Sequence, residues 1–102
     1  MNGNKLALSA AFVAATLLAF SAQAYDGEKY AKDAKISIKE ARSIALKAFA
    51  GKIVDEELEH EKGGSGLRYS FDIRKGKTTQ EVGVDAKTGK VLENDPESAH
   101  PD

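Results

Sequence analysis

The sequence predicts an α+β domain in two layers: one amphipathic helix packed on a three- to four-stranded antiparallel β-meander, in the order α-β-β-β. Three observations predict it. A capping box at Ser37–Glu40 opens a stripe of apolar residues at helical spacing. Two later segments, 67–75 and 78–85, alternate apolar and polar residues with the period of a half-buried strand. Glycine-bearing turns separate these segments. One apolar helix face and one apolar sheet face can be buried only against each other, which gives two layers.

Residues 1–24 have the pattern of a cleavable signal peptide. Lys5 lies in a short polar start, and the run from Leu6 to Phe20 is broken only by Ser9 and Thr16. Ala22-Gln23-Ala24 then supplies the small residues that signal peptidase accepts, so cleavage is expected between Ala24 and Tyr25. The apolar run is shorter than the ~20 residues that span a bilayer, and no cysteine follows it to carry a lipid. The expected location is therefore the periplasm or the exterior, with no stable membrane anchor after cleavage.

Residues 25–35 are polar with alternating charge and read as a flexible lead-in, with room for a fraying helical turn. The helix comes next. Ser37 can accept from the Glu40 N–H while the Glu40 carboxylate reaches back to the Ser37 N–H. Ile38, Ala41, Ile44, Ala45, Ala48 and Phe49 form one face, so a helix is expected over Ile38–Ala50, with Gly51 as a left-handed C-cap. In Lys52–Glu61, Val54, Glu56, Leu58 and His60 share a face and Ile53 does not, which points to a bulge near Val54. Residues 62–66 (Lys-Gly-Gly-Ser-Gly) form a turn. Leu67, Tyr69, Phe71 and Ile73 point inward in the next strand, with Arg68, Ser70, Asp72 and Arg74 outward. Gly76-Lys77 makes a tight connection to a strand with Gln80, Val82 and Val84 on one face. Asp85 can accept from N–H groups two or three residues on, and Gly89 supplies the left-handed position of that turn. A short strand, Lys90–Glu93, ends the domain, which spans 36–93, and residues 94–102 read as a disordered tail. The expected core is Ile38, Ile44, Ala45, Ala48, Phe49, Leu58, Leu67, Tyr69, Phe71, Ile73, Val82, Val84 and Val91.

Composition narrows the function. The chain has 102 residues, no cysteine and a formal net charge of −1. Thiol chemistry, disulfides and cysteine metal sites are excluded. Nucleic acid is a poor partner for a domain without a basic face. Catalysis finds no constellation: His60 sits in an acidic strand, His100 in the tail, and nothing brings either to Ser70 or Asp72 as a general base. No enzyme and no cofactor are expected. Gly63-Gly64-Ser65-Gly66 lacks the Lys-Ser/Thr and the helix of a phosphate loop.

The order and residues of the domain resemble the PepSY family. The stretches that carry the resemblance are the helix ending Ala48-Phe49-Ala50-Gly51-Lys52-Ile53, then Glu57-Leu58-Glu59, then Leu67-Arg68-Tyr69-Ser70-Phe71-Asp72-Ile73, and above all residues 81–92, a strand that runs into an Asp-Ala-x-Thr-Gly turn. The resemblance implies a non-catalytic module of the kind found in metallopeptidase propeptides and in free-standing exported proteins. Its implied role is to bind and restrain a peptidase or to engage another envelope protein. No peptidase domain follows within these 102 residues, so a propeptide-like module here is expected either to act in trans or to do something else, and the resemblance does not name the partner.

The acidic strand is the one unusual feature. Asp55, Glu57, Glu59 and Glu61 share a face, with Arg68 and Arg74 on the neighbouring strand, and these six are the candidate docking residues. The alternative is a small metal-binding or metal-buffering protein that uses the acidic strand and the histidines. Successive residues of one strand face lie about 7 Å apart, which is wide for a compact ligand shell. A solvated face with cross-strand cations is the plainer reading. N-terminal sequencing of the exported protein is expected to start at Tyr25; a product that still carries Met1 ends the export reading.

Overall fold

The computed structural model describes residues 24–97. The signal-peptide segment before Ala24 and the last five residues of the expected tail lie outside the described residues. A 3-10 helix (Glu28–Asp33) precedes helix α1 (Ile38–Ala48). Strands β1 (Lys52–His60), β2 (Leu67–Lys75), β3 (Thr78–Asp85) and β4 (Val91–Pro96) follow. They form one antiparallel sheet in the order β1-β2-β3-β4. The helix packs on one side of it, so the two-layer α+β architecture is as the sequence predicts.

The capping box forms as expected. The Glu40 N–H donates to Ser37 Oγ at 3.1 Å, and the Ser37 N–H donates to Glu40 Oε1 at 3.1 Å. The helix ends two residues early, with Phe49 already extended at φ −149°. Gly51 is not its left-handed cap. Its small size serves a different need: a Cβ there would lie 2.5 Å from the Arg74 carbonyl oxygen, where the chain enters β1 against β2.

Two segment expectations are corrected. Residues 25–35 are not a loose lead-in. Tyr25, Tyr30 and Ala34 pack against the core, and the Leu58 N–H donates to the Asp26 carbonyl at 2.8 Å. Asp26 thereby pairs in parallel with Glu57 on the outer edge of β1. The Tyr30 ring rests 4.5 Å from that of His60. The polar pattern of this segment hid the few apolar side chains that anchor it. Likewise, Asn94–Pro96 belong to β4 rather than to a tail, and pair with Val82, Glu81 and Gln80. An edge strand needs backbone partners on one side only, so low apolar content and a proline do not prevent it.

The bulge falls where alternation breaks, between Ile53 and Asp55. From there Glu56 opposes Phe71 and Leu58 opposes Tyr69 on the helix side. The fully buried core is Ala41, Ala45, Leu58, Leu67, Tyr69, Phe71, Ile73, Val82, Val84 and Ala86. Ile38, Ile44, Ala48, Phe49 and Val91 of the expected core are half-buried around it. Phe71 sits at its centre, paired with Glu56 on one side and Val82 on the other. Phe71→Ala is expected to cost about 3–5 kcal/mol, read as a lowered denaturation midpoint; a variant as stable as the parent refutes this core.

Candidate docking face

The helix covers one side of the sheet and leaves the other open. Because side chains alternate, the register decides which residues meet on the open side. Asp55 opposes Asp72, Asp72 opposes Glu81, and Glu81 opposes Asp95. Four carboxylates thus form a row across all four strands, at about 5 Å per step. The next row is Glu57, Ser70, Gly83 and Glu93. The third holds Glu59, Arg68 and Asp85.

The six candidate residues fall on this face with different roles. Asp55 is exposed, and its Oδ1 accepts from the Glu56 N–H at 3.0 Å. Glu57 and Glu59 are half-buried, and Glu59 Oε2 accepts from the buried Ser70 hydroxyl at 2.9 Å. Arg68 points to the expected side, but its side chain is only 9% exposed. It lies over Gly83, where a Cβ would come within 2.8 Å of its Cδ. Its guanidinium donates to Glu61 at 3.1 Å, to Glu93 at 3.4 Å and to the Lys62 carbonyl at 3.0 Å. Arg68 therefore organises the face from beneath and is not free to meet a partner. Arg74 is exposed at the far end, opposite Lys52.

Like charges without cations shift the central carboxyls. Burial, then Glu93 and Asp72, push the Glu81 carboxyl up to about 7. Burial, Glu97 and Asp55 raise Asp72 as well. Among the described residues neither has a cation within ion-pair distance.

On the opposite side the chemistry is structural. Arg42 of α1 grips Glu56 of β1 with two hydrogen bonds, 2.8 and 2.7 Å. Tyr25, the expected first residue after cleavage, is half-buried and packs against the core. The Tyr69 hydroxyl donates to the Ile36 carbonyl at 2.9 Å. Ala24 is exposed. His60 points to the helix side, away from Ser70 and Asp72. Among the described residues no three His, Asp or Glu side chains gather in a way that could hold a metal ion.

The chain matches the family model for the peptidase propeptide and YPEB domain, PepSY, over residues 35–95. It belongs to the PepSY family. No curated protein and no solved structure matches it. The PepSY match takes in α1, all four carboxylates of the transverse row and β4 almost to its end, and leaves out the segment from Tyr25 to Asp33 that braces β1.

The most distinctive PepSY stretch, the turn after β3, proves to be a clasp. Asp85 is buried, and its Oδ1 accepts from the Lys87 N–H at 2.8 Å and the Thr88 N–H at 3.2 Å. Both oxygens also hold Ser65 of the glycine-rich hairpin: Oδ2 accepts from its N–H at 2.6 Å and Oδ1 from its hydroxyl at 2.8 Å. Gly64 lies so close to Asp85 Oδ2 that no Cβ would fit. These donors outweigh burial and hold the Asp85 carboxyl down at about 2, from 3.8. Its contribution to stability is therefore full above pH 3.8 and lost as pH falls through about 2. Asp85→Asn is expected to cost about 1–3 kcal/mol at neutral pH and to remove that part of the acid dependence, measured by denaturation across this range. A variant with the parent's acid profile would show that the clasp does not depend on the charge.

Proposed function

We propose that this PepSY chain is a non-catalytic binding module that works outside the cytoplasm. It docks through its open sheet face onto a basic surface of an envelope protein. A peptidase is the partner class that the family description favours. The observation that carries this reading is the transverse row of carboxylates, flanked by Glu57, Glu59 and Glu93. Its one central cation, Arg68, is already engaged. A face of one sign steers an oppositely charged partner and speeds encounter at low salt. Two features support a binding role over a catalytic one. Ser70 donates to Glu59 and not to a histidine, and His60 lies on the other side of the sheet.

The test is a triple variant, Asp55→Asn, Glu57→Gln and Asp72→Asn, which leaves the Arg68 network and the clasp intact. A partner first captured from envelope extract with the parent protein is then titrated against both forms. The variant is expected to bind more weakly and with a flatter salt dependence. Equal binding at every salt concentration would move the docking surface off this face.

A further inference from the structure

We propose that the transverse row Asp55–Asp72–Glu81–Asp95 is a proton-operated switch that sets the negative charge of the open face and, with it, the strength of docking to a basic partner. The inference rests on the docking reading above and adds its regulation. Its basis is the register: three successive strand pairings each oppose carboxylate to carboxylate on one side of the sheet. Directly opposed like charges on neighbouring strands repel.

Glu81 is the point of greatest repulsion. From β2 it meets Asp72, and from β4 it meets Asp95 and, one row along, Glu93. Glu59 and the nearby Glu61 add to the repulsion from the β1 side, and Asp55 and Glu97 act on Asp72. Its same-face neighbours on β3 are Thr79 and Gly83, which carry no charge. Among the described residues neither Glu81 nor Asp72 makes an ion pair with a cation of this side. Arg68 is bound to Glu61 and Glu93, and Arg74, exposed and one row along on the side away from Glu93, opposes Thr79 on β3 and Lys52 on β1. The helix packs on the other side and brings no charge to Glu81. Glu81 is half-buried, and burial and repulsion together let it keep a proton to about pH 7. One proton taken up there removes a charge from the middle of the row, within an ordinary range of environmental pH. A basic partner acts in the reverse sense: its cations favour the ionised row, so binding expels the proton.

The sign can be read without any ligand. The folded-state carboxyl titrates above its ordinary value of 4.5. Stability from this group is therefore full below pH 4.5 and falls as pH rises through about 7. Glu81→Gln should flatten that fall.

The experiment follows the Glu81 and Asp72 carboxyl signals by NMR in the full chain, and titrates an oligolysine probe at about pH 8 and about pH 5.5. Glu57→Gln serves as the control that removes one charge from the same face. The parent and the control are expected to lose about two- to fivefold in probe affinity on acidification, while Glu81→Gln changes far less. A Glu81 that titrates as an ordinary carboxyl overturns the switch, and this holds even if Glu81→Gln fails to fold. A Glu81 that titrates near neutrality, with equal probe binding at both pH values, overturns the coupling to docking. If Glu81 titrates near neutrality but the probe binds at neither pH, the docking reading itself is overturned.

Discussion

An eleven-residue helix is about 16 Å long, and four strands side by side are about 14 Å across. A helix of that length, packed on β2, β3 and β4 and tied to β1 through Arg42, closes one side of the sheet. The seal needs anchors at both ends. Ser37 and Glu40 fix where the helix starts, and the backbone N–H groups of Lys35 and Ile36 both donate to the Ala86 carbonyl, which ties the approach to the turn after β3. Arg42 binds Glu56 to hold the β1 side. Two alanines, Ala41 and Ala45, are the buried residues of the helix. Small side chains let its backbone approach the sheet closely, and the bulk of the core is then supplied by Tyr69, Phe71 and Ile73 of β2. The same helix cannot cover the second side, and alternation sends the charged half of every strand there.

Charge on that second side behaves in two opposite ways, and β3 shows both. Glu81 and Asp85 are four residues apart on one strand, so their side chains leave the same face. One carboxyl is raised to about 7 and the other lowered to about 2. Burial opposes ionisation in both, and is in fact the largest single influence on each. The difference is what surrounds them. Asp85 is met by three backbone N–H groups and a hydroxyl, all donors fixed by tight turns. Glu81 is met by other carboxylates. Donors that are part of the backbone make a buried charge cheap to keep, and acidic neighbours make it expensive. The first arrangement locks two loops together, and the second leaves a face whose charge responds to its surroundings.

Much of this fold is legible in the sequence, because local patterns and global packing agree. The capping box, the alternation of β2 and β3 and the break near Val54 each depend on adjacent residues only. What escaped the sequence depends on contacts between distant ones. The clasp joins Ser65 to Asp85 across twenty residues, and only the half of it within the turn, to Lys87 and Thr88, is a local motif. The bracing of β1 by Asp26 and Tyr30 is invisible in a segment whose composition is polar. The carboxylate row is an intermediate case. The two-residue connection Gly76-Lys77 pairs Lys75 with Thr78, and counting outward from that pair places Asp72 opposite Glu81. That half of the row could be read from turn length alone. The β4 end could not, because a bulge lies between its turn and Asp95, and the β1 end could not, because the six-residue connection 61–66 leaves the register of the pair open.

Arg68 shows why the acidic face holds together without a partner. A buried cation is costly unless its surroundings are acidic and its donors are used. Here Glu61, Glu93 and the Lys62 carbonyl take donors from both terminal nitrogens, while Nε is left without a partner. Gly83 is the space that lets the side chain lie flat, since any side chain at that position would strike it. The cation therefore neutralises the hairpin end of the face, where the glycine-rich loop folds over, and Asp55, Asp72 and Glu81 lie between it and the exposed Arg74 and Lys52 at the far end. Repulsion along this row lowers the stability of the isolated domain, and a docked partner that brought cations to it would relieve it. In the proposed complex, the same residues that weaken the free fold would strengthen binding. Docking through this face would be felt by the whole domain, because β2 carries Arg68 and Asp72 on one side and the centre of the core on the other.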